Sequence, residues 1–235
     1  MTALVTARSA APSPSSLFPL DTDAAVDRVV RLAAVLALWV GLLLVTYWWA
    51  ADGGVTDLGH WESGLTSLGR LSGLWAADLL LVQVLLMSRL PPLEHAFGRD
   101  RPARIHRMVG LLSFSLLITH IVLIIAGYSS GRWSELLATT WELITAYGGI
   151  LLAAAGTACL IMVVLTSLRA SRRRLRYESW HLLHIYGYLG VGLALPHQLW
   201  TGQEFLPSPA ATVYWSTLWA TASSRLRSAQ RRSPR

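Results

Sequence analysis

HRMVGLLSFSLLITH, residues His106 to His120, decides how this chain is read, together with its counterpart HIYGYLGVGLALPH, residues His184 to His197. Each is an apolar run bracketed by histidines, fourteen residues apart in the first and thirteen in the second. An ionisable side chain inside a membrane span is costly and needs a partner. Neutral imidazole is also a good axial ligand for haem iron. Two spans, each with one histidine near one face of the bilayer and another further across, can therefore hold two stacked haems.

Composition supports a membrane setting. Of 235 residues, 53% are hydrophobic and 14% charged, and the mean hydropathy is +0.45. That balance departs from a soluble domain. All 20 basic residues are arginine, and the net charge is +7. These arginines cluster between apolar runs rather than along one face of a soluble fold, which argues against nucleic-acid binding. The lone cysteine, Cys159, excludes an intrachain disulfide or a multi-cysteine metal site. No HExxH or CxxC pattern points to zinc.

Five runs are long enough, at about 20 residues, to cross a hydrocarbon layer as helices. They lie near Val30–Trp49, Leu71–Leu90, Arg107–Tyr128, Leu143–Leu168 and His181–Trp200. A sixth, Pro209–Ala222, is short and carries several Ser and Thr. The N-terminal segment up to Arg31, the loops Arg89–Arg107 and Arg169–Arg176, and the C-terminal tail hold 18 of the 20 arginines. The positive-inside rule then puts both termini in the cytoplasm. Six spans satisfy that parity and five do not. The expected fold is an all-α, six-transmembrane-helix bundle with a short sixth helix, multi-pass in the plasma (inner) membrane among its lipids. Residues 1–24, rich in Ser, Ala and Pro, read as a flexible tail, 25–224 as the membrane domain and 225–235 as a basic tail. Trp48, Trp49, Trp75, Trp133, Trp141 and Trp200 are expected to form an outer interfacial belt. The segment Ser130–Trp141 is expected to lie along the outer surface.

In that topology the third and fifth spans both run outward. His106 and His184 share an inner level, His120 and His197 an outer one, about 20 Å away at 1.5 Å per residue. Fourteen residues bring His120 to within about 40° of the face of His106. Thirteen leave His197 roughly 140° from His184, so the fifth span needs a local irregularity, for which Pro196 offers a bend. His181 is an alternative inner ligand, about 160° out and closer to the basic loop. His60 and His95 fall in loops and read as solvent-exposed. Asp78, an acid well inside a span, reads as a local polar anchor.

At these residues the chain resembles the ferric reductase-like transmembrane domain family, which includes NADPH oxidases, ferric reductases and the haem subunit of methionine sulfoxide reductase. HRMVGLLSFSLLITH is similar to the family's third helix, and RYESWHLLHIYGYLGVGLALPH (Arg176 to His197) to its fifth. The similarity extends through GRLSGLWAADLLLVQVLLMSRLPPLEHAFGRDRPARIHR. The resemblance implies two b-type haems that carry electrons from a cytoplasmic flavin to an acceptor at the outer face. His106 and His184 would ligate the inner haem, and His120 and His197 the outer one. Arg104 and Arg107 would balance inner haem propionates, and Arg70 an outer one. Many relatives continue into flavin and nucleotide domains. Here the Gly-rich dinucleotide fingerprint is missing, so flavin (FMN or FAD) is expected from a partner, a separate cytoplasmic flavin reductase. The chain then reads as a haem-dependent transmembrane oxidoreductase or its electron-transfer subunit. The competing readings are a channel or transporter with a histidine proton relay and a truncated, non-catalytic remnant.

Overall fold

The computed structural model describes residues 22–88, 90–98, 100–168, 175–204 and 208–232, without the side chains of 22, 23 and 225–232. The expected N-terminal tail lies almost wholly outside the described residues. The described chain is helical and contains no strand. Its elements are α1 (Thr22–Ala51), α2 (Gly54–Asp57), α3 (Trp61–Met87), α4 (Pro91–Phe97), α5 (Asp100–Tyr128), α6 (Leu136–Ala146), α7 (Ile150–Ser167), α8 (Tyr177–Thr201) and α9 (Pro209–Arg232). A 3-10 turn, Trp133–Glu135, leads into α6.

Among the described residues, four helices are long and apolar enough to cross a membrane: α1 from Ala24, α3, α5 and α7. Their most apolar windows have mean hydropathies of 2.4, 1.5, 2.5 and 2.3. The outward faces match. Leu32, Leu36, Val40 and Leu43 of α1 are all more than half exposed, a continuous apolar surface that only lipid would suit. The protein is a multi-pass membrane protein. Helices α8 and α9, at 25 and 24 residues, have the length to span but not the same apolarity.

Two boundaries and one side-chain placement differ from the sequence reading. The fourth apolar run is split, because Tyr147–Gly149 separates α6 from α7, and Gly149 adopts φ +83°. Only glycine takes that left-handed conformation without strain. Next, α9 continues to Arg232, through the residues read as a basic tail. Its arginines, Leu226, Ala229 and Gln230 are good helix formers. Lastly, Trp49 and Trp75 do not simply face an interface. Trp49 is buried, and its indole N–H donates to the carbonyl and the hydroxyl of Ser67, both at 3.0 Å. Trp75 donates to Thr46 at 2.9 Å. An indole N–H that leaves water gains from an acceptor: α3 supplies one to Trp49 through Ser67, and α1 supplies one to Trp75 through Thr46.

The buried apolar core joins α1, α3 and α9 through Val45, Trp49, Leu74, Leu81, Trp215 and Trp219. Two helix pairs extend from it. Helices α3 and α5 pack tightly along their length, as do α7 and α8. Small residues allow the second approach. A Cβ on Gly156 would stand 2.6 Å from the carbonyl oxygen of Gly190, and one on Gly190 would stand 2.8 Å from that of Gly156. In lipid, where no hydrophobic force drives helices together, such close backbone contact is what holds a pair. Gln83 of α3 adds a hydrogen bond to Ser113 of α5 at 2.7 Å.

Gly156→Leu should therefore destabilise the protein by about 1–3 kcal/mol through forced separation of α7 and α8. Gly192→Ala, where an added Cβ meets open space, should leave the thermal unfolding midpoint in detergent unchanged or slightly higher.

Candidate haem-binding site

The two pairs of helices turn their histidines toward each other. His106 and His120 project from α5, His184 and His197 from α8. The ring centres of His106 and His184 lie 5.9 Å apart, and those of His120 and His197 lie 6.4 Å apart. The two levels are separated by about 20 Å along α5. An iron with an imidazole on each side, at a bond length of about 2 Å and roughly 1 Å more to each ring centre, sets the centres about 6 Å apart. Both gaps match that span. The donor chemistry matches too, because paired neutral imidazoles suit iron and neither pair includes a competing acid.

Three of the four rings are oriented from behind. His120 Nδ1 lies 2.8 Å from the carbonyl oxygen of Gly69, and a Cβ on Gly73 would stand 2.6 Å from that same Nδ1. Glycine at 73 leaves α3 a recess that the ring occupies. His197 Nδ1 lies 2.7 Å from the hydroxyl of Thr201. Its backbone rests on Gly149, where a Cβ would meet the His197 nitrogen at 2.7 Å. His184 Nδ1 lies 3.2 Å from the Ser167 hydroxyl, and its ring stacks on Trp180 with centres 4.9 Å apart. His106 Nδ1 is buried with no hydrogen-bond partner among the described residues. Ligating histidines characteristically engage their second nitrogen in this way, which fixes the ring and leaves the other nitrogen for the metal.

The angular mismatch within α8 does not keep the pairs apart. The segment stays helical through Pro196, which removes the hydrogen bond that the Gly192 carbonyl would otherwise accept. His181 is exposed and stacked on Tyr177, with ring planes 9° apart, away from either pair. The structure thus sets His184, not His181, opposite His106. His60 and His95 are exposed, as expected from their loop positions, although His95 sits on the short helix α4. Arg104 and Arg107 occupy exposed positions on the first turns of α5, flanking His106.

Arg70 departs from its expected role. Its guanidinium is taken up by protein carboxylates: Glu204 at 2.7 Å, Asp52 at 2.7 Å and Asp57 at 3.6 Å. The cluster ties α3 to the segment that precedes it and to the one that follows α8, at the end of the bundle that carries His120. Asp78 is buried on the far side of α3. A Cβ on Gly41 would lie 3.0 Å from its carboxylate and 3.2 Å from the Tyr214 hydroxyl. The residues missed by sequence reasoning are Gly69, Gly73, Gly149, Ser167 and Thr201. Two had a local signal: Thr201 follows His197 by four residues and so shares its face, and Gly149 stands in a glycine pair.

Residues 72–195, just over half of the chain, match the model of the ferric reductase like transmembrane component. The chain belongs to this family. The matched region includes His106, His120 and His184 and stops two residues before His197. Three curated relatives share one description, heme-binding subunit MsrQ of protein-methionine-sulfoxide reductase. The Deinococcus radiodurans protein is 31% identical over 125 residues, which cover 52% of this chain and 58% of that protein. The Xanthomonas campestris pv. campestris protein is 26% identical over 208 residues, covering 86% and 90%. The Rhodospirillum rubrum protein is 27% identical over 183 residues, covering 78% and 81%. No solved structure matches the chain.

Because Glu204 is 4% exposed, removing its partner would strand a buried carboxylate. Arg70→Leu should cost about 3–5 kcal/mol, read as a lower thermal unfolding midpoint. Glu204→Gln, which keeps an acceptor for the Arg70 side chain, should cost clearly less.

Proposed function

We propose that this chain carries electrons across the plasma (inner) membrane through two b-type haems, as the haem-binding subunit of a protein-methionine-sulfoxide reductase. The observation that carries the reading is the pair of imidazole gaps, 5.9 and 6.4 Å wide, stacked along α5 and α8. The names of the three relatives support it. His106 and His184 hold the inner haem, and His120 and His197 the outer one. Bound haem supplies a one-electron centre at each level. The chain holds the two centres at fixed separation, excludes water from the histidines and shields the path with apolar helices.

In this reading all six long helices span the membrane, α8 and α9 included, and both termini are cytoplasmic. Arginine placement supports that orientation. The modest apolarity of α8 follows from its task, because its histidines, Gln198 and three glycines lower its hydropathy where ligands and close contacts are needed. On the cytoplasmic side Arg101, Arg104, Arg107 and Arg176 are exposed near the inner level. Arg99 and Arg172–Arg174 lie outside the described residues. Arg104 and Arg107 sit where inner haem propionates need cations. The whole basic surface suits an acidic flavoprotein as the electron donor. The acceptor is a catalytic partner at the outer face, where oxidised methionine is reduced.

Haem-loaded protein should contain two low-spin, bis-histidine b haems per chain. Leu in place of His120 or His197 should remove mainly the outer haem, and Leu in place of His106 or His184 mainly the inner. His181→Leu should leave both. Pyridine haemochrome assay and the reduced-minus-oxidised spectrum measure this. Absence of stoichiometric haem, or a high-spin spectrum, defeats the reading.

NADPH alone should not reduce the haem, whereas NADPH with a flavin reductase should, at a rate that falls as ionic strength rises. Stopped-flow absorbance of the haem bands separates the two. Reduction by NADPH without an added component would exclude a separate donor.

A further inference from the structure

The two imidazole pairs are not supported alike, and the difference is readable atom by atom. A backbone carbonyl can only accept a hydrogen bond, so His120 must carry its proton on Nδ1 to bond Gly69 at 2.8 Å. Thr201 leads to the same result at His197. Its hydroxyl has a single proton, which it donates to the His197 carbonyl at 2.8 Å. It therefore accepts from His197 Nδ1 at 2.7 Å. Both outer imidazoles are thus held as Nδ1–H donors with a committed acceptor. At the inner level His106 Nδ1 has no partner among the described residues. His184 faces the Ser167 hydroxyl at 3.2 Å, which can either donate or accept.

An acceptor behind a ligating imidazole draws on its N–H and makes the other nitrogen more basic. A more basic ligand favours ferric over ferrous iron, and hydrogen bonding around the ligands is one of the levers that set haem potential. Fixed charge acts in the same direction. Arg70, the residue after Gly69, is surrounded by Asp52, Asp57 and Glu204, so carboxylates outnumber the cation three to one at the outer level. At the inner level Arg104 and Arg107 flank His106, and positive charge favours the reduced state.

We propose that the Gly69 carbonyl and the Thr201 hydroxyl are positioning groups that lock His120 and His197 as Nδ1–H tautomers and make the outer haem the harder of the two to reduce. The proposal rests on the two-haem reading above. It adds that the first electron to enter settles at the inner level and moves outward only when an acceptor draws it.

The test uses the full chain purified with haem. The haem count is read first; a wild-type count other than two removes the two-haem reading itself, before any Thr201 variant is considered. With two haems present, a spectroelectrochemical titration yields two midpoints, and His120→Leu identifies the outer one by its disappearance. The outer midpoint should be the lower. Thr201→Val, which keeps the shape and loses the hydroxyl, should raise the outer midpoint and leave the inner one in place. Thr201→Ser, which keeps the hydroxyl, should restore the wild-type value. If Thr201→Val sheds the outer haem, retention of that haem by Thr201→Ser supports the hydroxyl's role and loss in both overturns it. An outer midpoint above the inner, or one unmoved by Thr201→Val with both haems bound, also overturns the proposal.

Discussion

The structure depends on the facing of α5 and α8 across two gaps about one iron wide. These helices do not pack backbone to backbone. Each is bound tightly to a different neighbour, α5 to α3 and α8 to α7, and they approach each other through imidazole rings. The tight pairs set the width of the gaps. Gly156 and Gly190 bring α8 onto α7, and the recess at Gly73 lets the His120 ring lie against α3. Enlarging any of these small residues displaces a helix or ring that positions a ligand. Packing and ligation are therefore one constraint, because the distances that stabilise each helix pair also set the distances available to a metal.

Much of this was legible in the sequence. The matched spacing of His106/His120 and His184/His197 pairs the levels with no knowledge of the packing, and arithmetic on a straight helix places them about 20 Å apart. The same arithmetic fails within α8, because it treats a helix as isolated. Both flanks of α8 can reach α5 once Gly149 and Pro196 have set its end against α7, and that contact joins residues 47 positions apart, which no local pattern encodes. Arg70 shows a similar limit. Its partners lie 18 and 13 residues before it and 134 after it, so a lone arginine at an outer helix end looks available for a propionate when the fold has already engaged it. The break at Tyr147–Gly149 had a visible sign in its paired glycines. The apolarity of the flanking residues hid it, since hydropathy measures burial in lipid and not continuity of the backbone.

Helix α8 shows why hydropathy and function pull apart. A span built only to cross lipid is free to be uniformly apolar, as α7 nearly is. One that presents imidazoles, a glutamine bonded to Trp215 at 2.8 Å and a glycine at a helix crossing loses hydropathy at each of those positions. The residues that make it fall short of an apolar span are the ones that give it chemical use. The cost of burying them is offset by partners: Thr201 for His197, Ser167 and Trp180 for His184, Trp215 for Gln198. Polar groups on an otherwise apolar helix that are each matched to a neighbour mark a built site rather than a failed helix.

The same accounting separates the two ends of the molecule. Toward His106, exposed Arg101, Arg104, Arg107 and Arg176 outnumber exposed Asp100 and Glu178, and toward His120, Arg70 is held among three carboxylates. Arginine on the inner side is what insertion demands of any membrane protein. The outer cluster has no such general cause. It is folded into the bundle by Glu204, buried at 4% exposure, and joins the end of α3 to the segment that follows α8. Because α3 supports His120 and α8 carries His197, this one ion cluster braces both histidines and places an excess of carboxylate near them. The arginines near His106 and the ion cluster near His120 are thus separate sets of residues, and the second can be altered without touching the first.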